Sequence, residues 1–164
     1  MFPNCPKYIQ QRAFERVETA DAGEQSVADG LAPAHREWLG STDTFFIGSV
    51  HPEAGADASH RGGDPGFVDV DGDTVVYPDY PGNNMFCTLG NVQADGRVGL
   101  LAVDFADGRT LQATGRADIV WDAARVAAHE GAERLVEIHV DRTVELPNGT
   151  PLRWSLTERS PFNP

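Results

Sequence analysis

Short apolar stretches separated by turn residues fill the middle and the end of this chain and predict a mainly β fold. Residues 110–114 alternate polar and apolar side chains, which indicates a strand with one face in solvent. Asp71-Gly72 between two β-rich segments is a strong hairpin signal. The predicted strands are residues 45–50, 66–70, 74–80, 98–105, 110–121, 133–146 and 152–156. Six or so antiparallel strands with short turns predict a barrel or a sandwich.

Helical patterns are fewer and shorter. The first 40 residues are predicted to be helical or irregular, with short helices at 6–16 and 32–39 and a polar loop between them. Another helix is predicted at 122–129, where the Asp122 carboxylate can cap the first turn. No shift in composition marks a domain boundary, so we expect residues 1–164 to form one domain.

Composition and charge narrow the class of protein. Hydrophobic residues make up 40% and charged residues 23% of the 164, which is typical of a globular domain. No apolar run approaches the ~20 residues needed to span a bilayer, and the first ten residues lack a signal-peptide core. We therefore expect a cytoplasmic protein in which Cys5 and Cys87 are free thiols. The net charge of −12 argues against nucleic-acid and membrane partners.

Most residues capable of chemistry lie between Asp57 and Asn91. This stretch opens with the cluster Ser59-His60-Arg61-Gly62-Gly63. Arg61 is the only lysine or arginine between positions 36 and 97, and a guanidinium suits phosphate oxygens. The glycine pair would allow a ligand close to the backbone. We predict that this cluster binds a phosphate, although Arg61 could be a surface arginine and His60 a structural or exposed histidine.

A second candidate segment follows at Gly82-Asn83-Asn84 and continues through Thr88 and Asn91. Asparagine is common in turns, so Asn83 and Asn84 could simply be turn residues. They could also present amides to a phosphate at the start of a helical turn, where unpaired N–H groups point outward. We favour the phosphate interpretation and include Thr88 and Asn91 as weaker candidates.

Several other chemistries are excluded by spacing. The acidic run at 69–73 lacks the glycine and glutamate spacing of a calcium-binding EF-hand loop. The five histidines show no HExxH spacing, so we expect no metal site. GxGxxG, a P-loop lysine and GxSxG are also missing from the sequence.

Four motifs in order carry a family resemblance: DASHRGGDPGFV, PDYPGNNMFCTLGN, RVGLLAVDF and LQATGRA, with NCPKYIQQR near the start. Together they resemble the pyridoxamine 5'-phosphate oxidase-like split barrels, in a branch of flavin-nucleotide-binding proteins. In longer relatives NCPKYIQ lies mid-chain, so this chain resembles their second half. The resemblance implies a six-stranded antiparallel split β-barrel with a few short helices. It also implies a homodimer with FMN in a cleft at the dimer interface.

The resemblance also indicates which further residues would lie near FMN. Tyr80 belongs to the PDYPGNN motif, Gln112 and Arg116 could reach the flavin ring or a substrate, and Trp154 could close the cleft from the partner subunit. Oxidases of the family carry an arginine-lysine pair on an early strand and Ser-Arg-Lys in the phosphate loop. This chain departs from both, with Ser59-His60-Arg61 and Gly82-Asn83-Asn84 instead.

Three functions are therefore compatible with the sequence. The first is an FMN-dependent oxidoreductase acting on a small-molecule substrate, with a nicotinamide or another electron donor. The second is a flavin-binding module without a substrate of its own. The third is a haem-binding or deazaflavin-binding member of the same fold, since fold does not fix function. Haem would need an axial ligand, for which the candidate histidines are His51, His60, His129 and His139.

Overall fold

The computed structural model describes residues 5–18 and 21–164. Asn4, which opens the NCPKYIQ motif, and residues 19 and 20 of the predicted polar loop lie outside these ranges. The strands are β1 (Gln11–Arg16), β2 (Ser26–Asp29), β3 (Thr44–His51), β4 (Gly55–Gly62), β5 (Asp69–Asp71), β6 (Thr74–Asp79), β7 (Arg97–Val103), β8 (Thr110–Val120), β9 (Arg134–Leu146) and β10 (Leu152–Glu158). The helices are α1 (Pro33–Ser41), α2 (Cys87–Ala94) and α3 (Ala123–Ala127). In the described ranges, no helix is long and apolar enough to cross a membrane.

Eight of the strands form one antiparallel sheet. Its order is β4-β3-β7-β8-β9-β6-β5, and β2 adds to a free part of β9. Arg61 on β4 lies 3.7 Å from Asp79 on β6, measured from Nη1 to Oδ1, although four strands separate β4 from β6 along the sheet. The sheet therefore curls until strands from its two ends meet. The mainly β, antiparallel prediction is confirmed.

The core fills the inside of this curled sheet. The Phe45 ring lies edge-on to Tyr77 at 5.1 Å and stacks on Phe67 at 5.9 Å between ring centres. Burial alternates along β8 as the sequence pattern predicted, with Leu111 and Ala113 inside and Gln112 outside. The largest fully buried side chains are Tyr77, Phe45, Leu39, Ile47, Leu111, Leu135, Ile138, Val75, Val136 and Thr143.

Each of the seven predicted strand segments overlaps a strand of the structure, although residues 66–68 of the segment 66–70 lie before β5. The hairpin between β5 and β6 turns at Gly72-Asp73, one residue later than predicted, and Gly72 adopts a φ of +56°. Such a left-handed conformation strains residues other than glycine. The predicted Asp122 cap is also confirmed, because its carboxylate accepts a 2.8 Å hydrogen bond from the Arg125 backbone N–H.

Three further strands were not predicted, so the described residues contain ten strands where six or so were expected. The helix predicted at 6–16 is wrong, since Gln11–Arg16 pairs with β10 in a separate two-stranded sheet. The polar loop prediction is wrong for Ser26–Asp29, which pairs with β9. Both strands depend on distant partners, and the polar edge strand β4 lacks a long apolar pattern.

Candidate functional site

An open cleft lies beside β4, the segment following β6, and the start of α2. Its volume of about 150 Å³ is below the roughly 300–1,000 Å³ of most small-molecule sites. The predicted site residues that line it are Ser59, His60, Arg61, Tyr80, Asn83, Asn84 and Thr88. Residues that sequence reasoning missed also line it, among them Cys5, Asp57, Asp79, Met85, Phe86 and Cys87. The two cysteines are free thiols, as predicted.

Strand β4 sorts its polar residues onto two faces. Asp57, Ser59 and Arg61 pair with the buried residues Ser49, Ile47 and Phe45 of β3. They therefore lie on the inner face of the strand, because side chains alternate along a β-strand. His60 pairs with Phe46, which is 40% exposed, and lies on the other face. If residues 57–61 had been predicted as a strand, the alternation of side chains would have placed His60 and Arg61 on opposite faces.

Arg61 supplies a positively charged group to the cleft wall. It is the only lysine or arginine among the described residues that line the cleft. Its ion pair with Asp79 is long, at 3.7 Å, and its guanidinium lies 5.8 Å from the centre of the Tyr77 ring. The Arg61 Nε is buried and has no hydrogen-bond partner within the described part of the chain. About a quarter of the Arg61 side chain (23%) is exposed, so an anion in the cleft could reach the exposed part of the guanidinium.

Asp79 is a buried carboxylate on the same wall. Its Oδ2 lies 3.5 Å from Nε of Arg134, and its Oδ1 faces Arg61. Burial raises the pKa of Asp79 above its ordinary value, against the opposing effect of the two arginines. Glu133, next to Arg134, forms a second ion pair with that arginine. A charged residue inside the apolar run TVVYPDY is the signal that could have identified Asp79.

A short chain of hydrogen bonds joins β4 to α2. The Thr88 hydroxyl donates to the Asp57 carboxylate at 2.8 Å and lies 2.9 Å from the Ser59 hydroxyl. Thr88 is itself buried, with 3% of its surface exposed. These contacts fix the start of α2 against the β4 wall of the cleft.

The first turn of α2 is open to the cleft. Its N-cap residue, Phe86, has a φ of +50° and makes no side-chain capping hydrogen bond. The first backbone N–H groups of a helix have no partner within the helix and favour negative charge. Asn83 accepts a 3.2 Å hydrogen bond from the Met85 N–H, and Asn84 adopts a φ of +60°. Both asparagines thus shape the turn that leads into α2.

His60 and Tyr80 are uncharged parts of the cleft. The His60 Nε2 lies 3.2 Å from the Lys7 carbonyl oxygen. Burial lowers the pKa of His60 below its ordinary value, so His60 is neutral at pH 7. The Tyr80 ring packs against Tyr8 at 5.1 Å, and burial raises the pKa of Tyr80 to about 12. Neither residue adds positive charge for a phosphate.

The glycine pair has a different role from the one predicted. A Cβ at Gly62 would lie 2.0 Å from the Tyr8 carbonyl oxygen, and a Cβ at Gly63 would lie 2.7 Å from Cγ of Phe67. The protein's own chain therefore makes the close approach that was expected of a ligand.

Besides Gly62 and Gly63, four predicted site residues do not line this cleft. Asn91 donates a 3.1 Å hydrogen bond to the Ser49 hydroxyl, and Trp154 packs edge-on against Phe105 with 5.4 Å between ring centres. Gln112 and Arg116 are exposed on the outer face of β8. A single chain does not bring these four to the cleft.

Comparison with solved structures relates the fold to known proteins. HupZ of Group A Streptococcus is 16% identical, with a TM-score of 0.57 over 73% of this chain and 98% of that chain. A candidate pyridoxamine 5'-phosphate oxidase from Lactobacillus delbrueckii is 12% identical, with a TM-score of 0.54 over 71% of this chain and 94% of that chain. A similar candidate from Listeria innocua is 15% identical, with a TM-score of 0.50 over 67% of this chain and 92% of that chain. These similarities establish a shared fold.

Sequence comparison establishes the family. A search of curated proteins finds no match. The profile described as pyridoxamine 5'-phosphate oxidase matches residues 31–155, about three quarters of the chain. This range includes β3 to β9, α2 and every residue that lines the described cleft except Cys5. The chain therefore belongs to the pyridoxamine 5'-phosphate oxidase family of split-barrel proteins.

Proposed function

We propose that this protein is a flavoprotein that binds FMN, with the flavin phosphate between Arg61 and the open N-terminus of α2. The observation that carries the proposal is the partly exposed Arg61 side chain, whose ion pair with Asp79 is long, in a cleft that the first turn of α2 also lines. A guanidinium and unpaired helix N–H groups are the donors that phosphate sites in proteins use. Membership of the pyridoxamine 5'-phosphate oxidase family supports the same ligand.

The rest of the cleft suits the flavin ring. Tyr80, Met85 and Phe86 offer aromatic and apolar surface, and Met85 and Phe86 are each 47% exposed. Bound FMN would supply hydride or electron transfer, and the protein would orient it and exclude water. We propose that the protein is an oxidoreductase acting on a small-molecule substrate, with a nicotinamide or another electron donor.

The absorption spectrum of the purified protein tests this proposal. A yellow protein that releases FMN on denaturation is the expected result. A Soret band would instead support haem, and a flavin-free protein that takes up only deazaflavin would also overturn the FMN proposal. Following the oxidation of NADH or NADPH by the FMN-loaded protein then separates an enzyme from a non-catalytic flavin-binding module.

The turn before α2 should matter for phosphate binding through its geometry. Replacing Asn83 and Asn84 together by alanine places alanine at a φ of +60°, which costs of the order of 1 kcal/mol or more. The turn would shift and misplace the α2 N-terminus. We expect FMN affinity to fall about tenfold and riboflavin affinity to fall less, since only FMN has the phosphate. Both affinities are measured by quenching of flavin fluorescence.

The matched control keeps the geometry and removes the same side chains. A variant with Asn83→Ala and Asn84→Gly allows the positive φ without strain. It should bind FMN better than the double-alanine variant. Equal losses for FMN and riboflavin, or no difference between the two variants, would contradict the geometric role.

We further propose that the protein is a homodimer joined through the outer face of the sheet. One cross-strand row on this face holds Phe46, Leu101, Gln112, Val144 and Val27. Phe46 and Val27 are 40% and 44% exposed, so the row presents apolar surface to solvent on two of its strands. A partner on this face would cover them.

On strands β4, β3, β7 and β8 the neighbouring row holds the small residues Ala58, Gly48, Gly99 and Thr114, and it continues to Arg142 and Asp29. Small residues allow a second sheet to approach closely. Arg116 lies further along the same exposed face of β8 as Gln112. In such a dimer these two residues could contact a ligand bound to the partner.

Light scattering at low micromolar concentration should therefore give the mass of a dimer. Phe46→Arg should convert it to a monomer, because a buried unpaired charge at the centre of an interface is strongly unfavourable. Phe162→Arg is the control, since Phe162 is 55% exposed in the C-terminal segment. A wild-type monomer that still binds FMN would contradict an interface cleft.

A further inference from the structure

We propose that Asp79 takes up a proton when the flavin phosphate binds beside Arg61, so that the cleft selects its phosphorylated ligand more strongly as the pH falls. This inference rests on the proposed function and adds a positioning and selectivity residue to the site. It concerns a residue that lies 18 positions after Arg61 and that the phosphate-binding proposal does not use.

Asp79 lies between the two arginines of the site. Its carboxylate lies between two guanidinium groups, 3.7 Å from Arg61 and 3.5 Å from Arg134. The Nε atoms of both arginines are buried and have no hydrogen-bond partner among the residues that the structure describes. Asp79 is 7% exposed and lines the cleft. Asp79 therefore holds Arg61 loosely and competes with any anion for it.

The charges around Asp79 cancel, so no net positive charge remains to attract a phosphate. Arg61 and Arg134 carry two positive charges, and Asp79 and Glu133 cancel them. Asp57 adds a further carboxylate to the cleft lining. An FMN phosphate brings about two negative charges at neutral pH. Placing it beside a buried carboxylate in a low-dielectric cleft is unfavourable unless one negative charge is neutralised.

Among the groups facing this site, Asp79 is best placed to take the proton. Arg61 on β4 and Arg134 on β9 stay charged. Tyr77 on β6 and Tyr8 in the N-terminal segment are already protonated, and burial raises the pKa of each further. The Glu133 side chain is 42% exposed, so water can stabilise its charge. Desolvation instead favours the neutral form of Asp79.

The step is a simple protonation. A proton from solvent moves to an Asp79 carboxylate oxygen, and no bond of the ligand changes. Arg61 is then released from its ion pair and turns its full charge toward the phosphate. Because one proton is taken up, linkage limits the gain in FMN affinity to about tenfold for each unit fall in pH. Riboflavin, which lacks the phosphate, should show no such dependence.

Isothermal titration calorimetry of the full chain with FMN tests the inference. Titrations in buffers of different ionisation enthalpy, at pH values between about 7 and 8 where the free phosphate is largely dianionic, give the number of protons taken up and its pH dependence. FMN should take up more protons than riboflavin on the unaltered protein. This comparison needs no variant, so it does not depend on the folding of a mutant.

Two variants then locate the proton. Asp79→Asn should remove the extra proton uptake and should bind FMN more tightly than the parent near the top of this pH range. Glu133→Gln is the matched control that should keep the uptake, since it removes a neighbouring carboxylate that does not line the cleft. A unit loss of uptake in Glu133→Gln, or equal uptake in Asp79→Asn and the parent, would overturn the assignment. FMN that binds without proton uptake overturns this inference alone, whereas a failure to bind FMN overturns the proposed function with it.

Discussion

Arg61→Ala is expected to raise the dissociation constant for FMN about 10- to 100-fold, since a charge-assisted hydrogen bond is worth roughly 1.5–3 kcal/mol. Arg61 is the only lysine or arginine lining the described cleft, and the protein carries a net charge of −12. Its removal would also leave Asp79 paired only with Arg134. The phosphate would then face a wall with a carboxylate and no cation.

The pattern of affinity losses across substitutions and flavins shows whether Arg61 contacts the phosphate. Arg61→Lys should recover only part of the affinity, because lysine keeps the charge and loses the planar pair of donors. Riboflavin affinity should change little. Arg97→Ala is the matched control, because Arg97 is an exposed arginine paired with Asp95 outside this cleft. A folded Arg61→Ala protein that binds FMN as tightly as the parent would make Arg61 a surface residue.

Phe45→Ala should lower the free energy of unfolding by about 3–5 kcal/mol, the usual cost of removing a buried phenylalanine ring. Phe45 is completely buried and contacts both Phe67 and Tyr77. It also pairs across β3 and β4 with Arg61. The cavity would therefore loosen the wall of the cleft as well as the core.

Urea denaturation monitored by tryptophan fluorescence measures this effect at a fixed protein concentration, since a dimer's stability depends on concentration. Phe14→Ala is the control, because Phe14 is 69% exposed and surface substitutions usually change stability by about 0.5 kcal/mol or less. A loss below about 1 kcal/mol for Phe45→Ala would contradict the packing described for this core.

Local sequence patterns predicted the strands that bury one face. The alternation in β8 and the Asp-Gly hairpin signal need only neighbouring residues, and both are confirmed. The segment Gln11–Arg16 was predicted as helix because its strand partner, β10, lies about 140 residues away. Strand β4 was missed because it is a polar edge strand whose exposed and inner faces carry similar residue types.

The candidate site was likewise predictable from the sequence only in part. The neighbouring residues Ser59, His60 and Arg61 and the asparagine turn were found from the sequence, and the structure brings them to one cleft. Asp79 lines the same cleft only because the sheet curls and brings β6 to β4. That approach depends on the whole fold, so the sequence shows a carboxylate in an apolar run but not its position beside Arg61. The need for glycine at position 62 was likewise not visible locally, since Tyr8 approaches Gly62 from a distant segment.

Equilibrium titration of the purified, ligand-free protein with FMN and with riboflavin tests the central claim most directly. The account predicts one FMN per chain and at least about tenfold weaker binding of riboflavin, because the phosphate contacts Arg61 and the α2 N-terminus. Equal affinities for the two flavins would contradict the phosphate site. No binding of either flavin would contradict the assignment of this cleft to a flavin nucleotide.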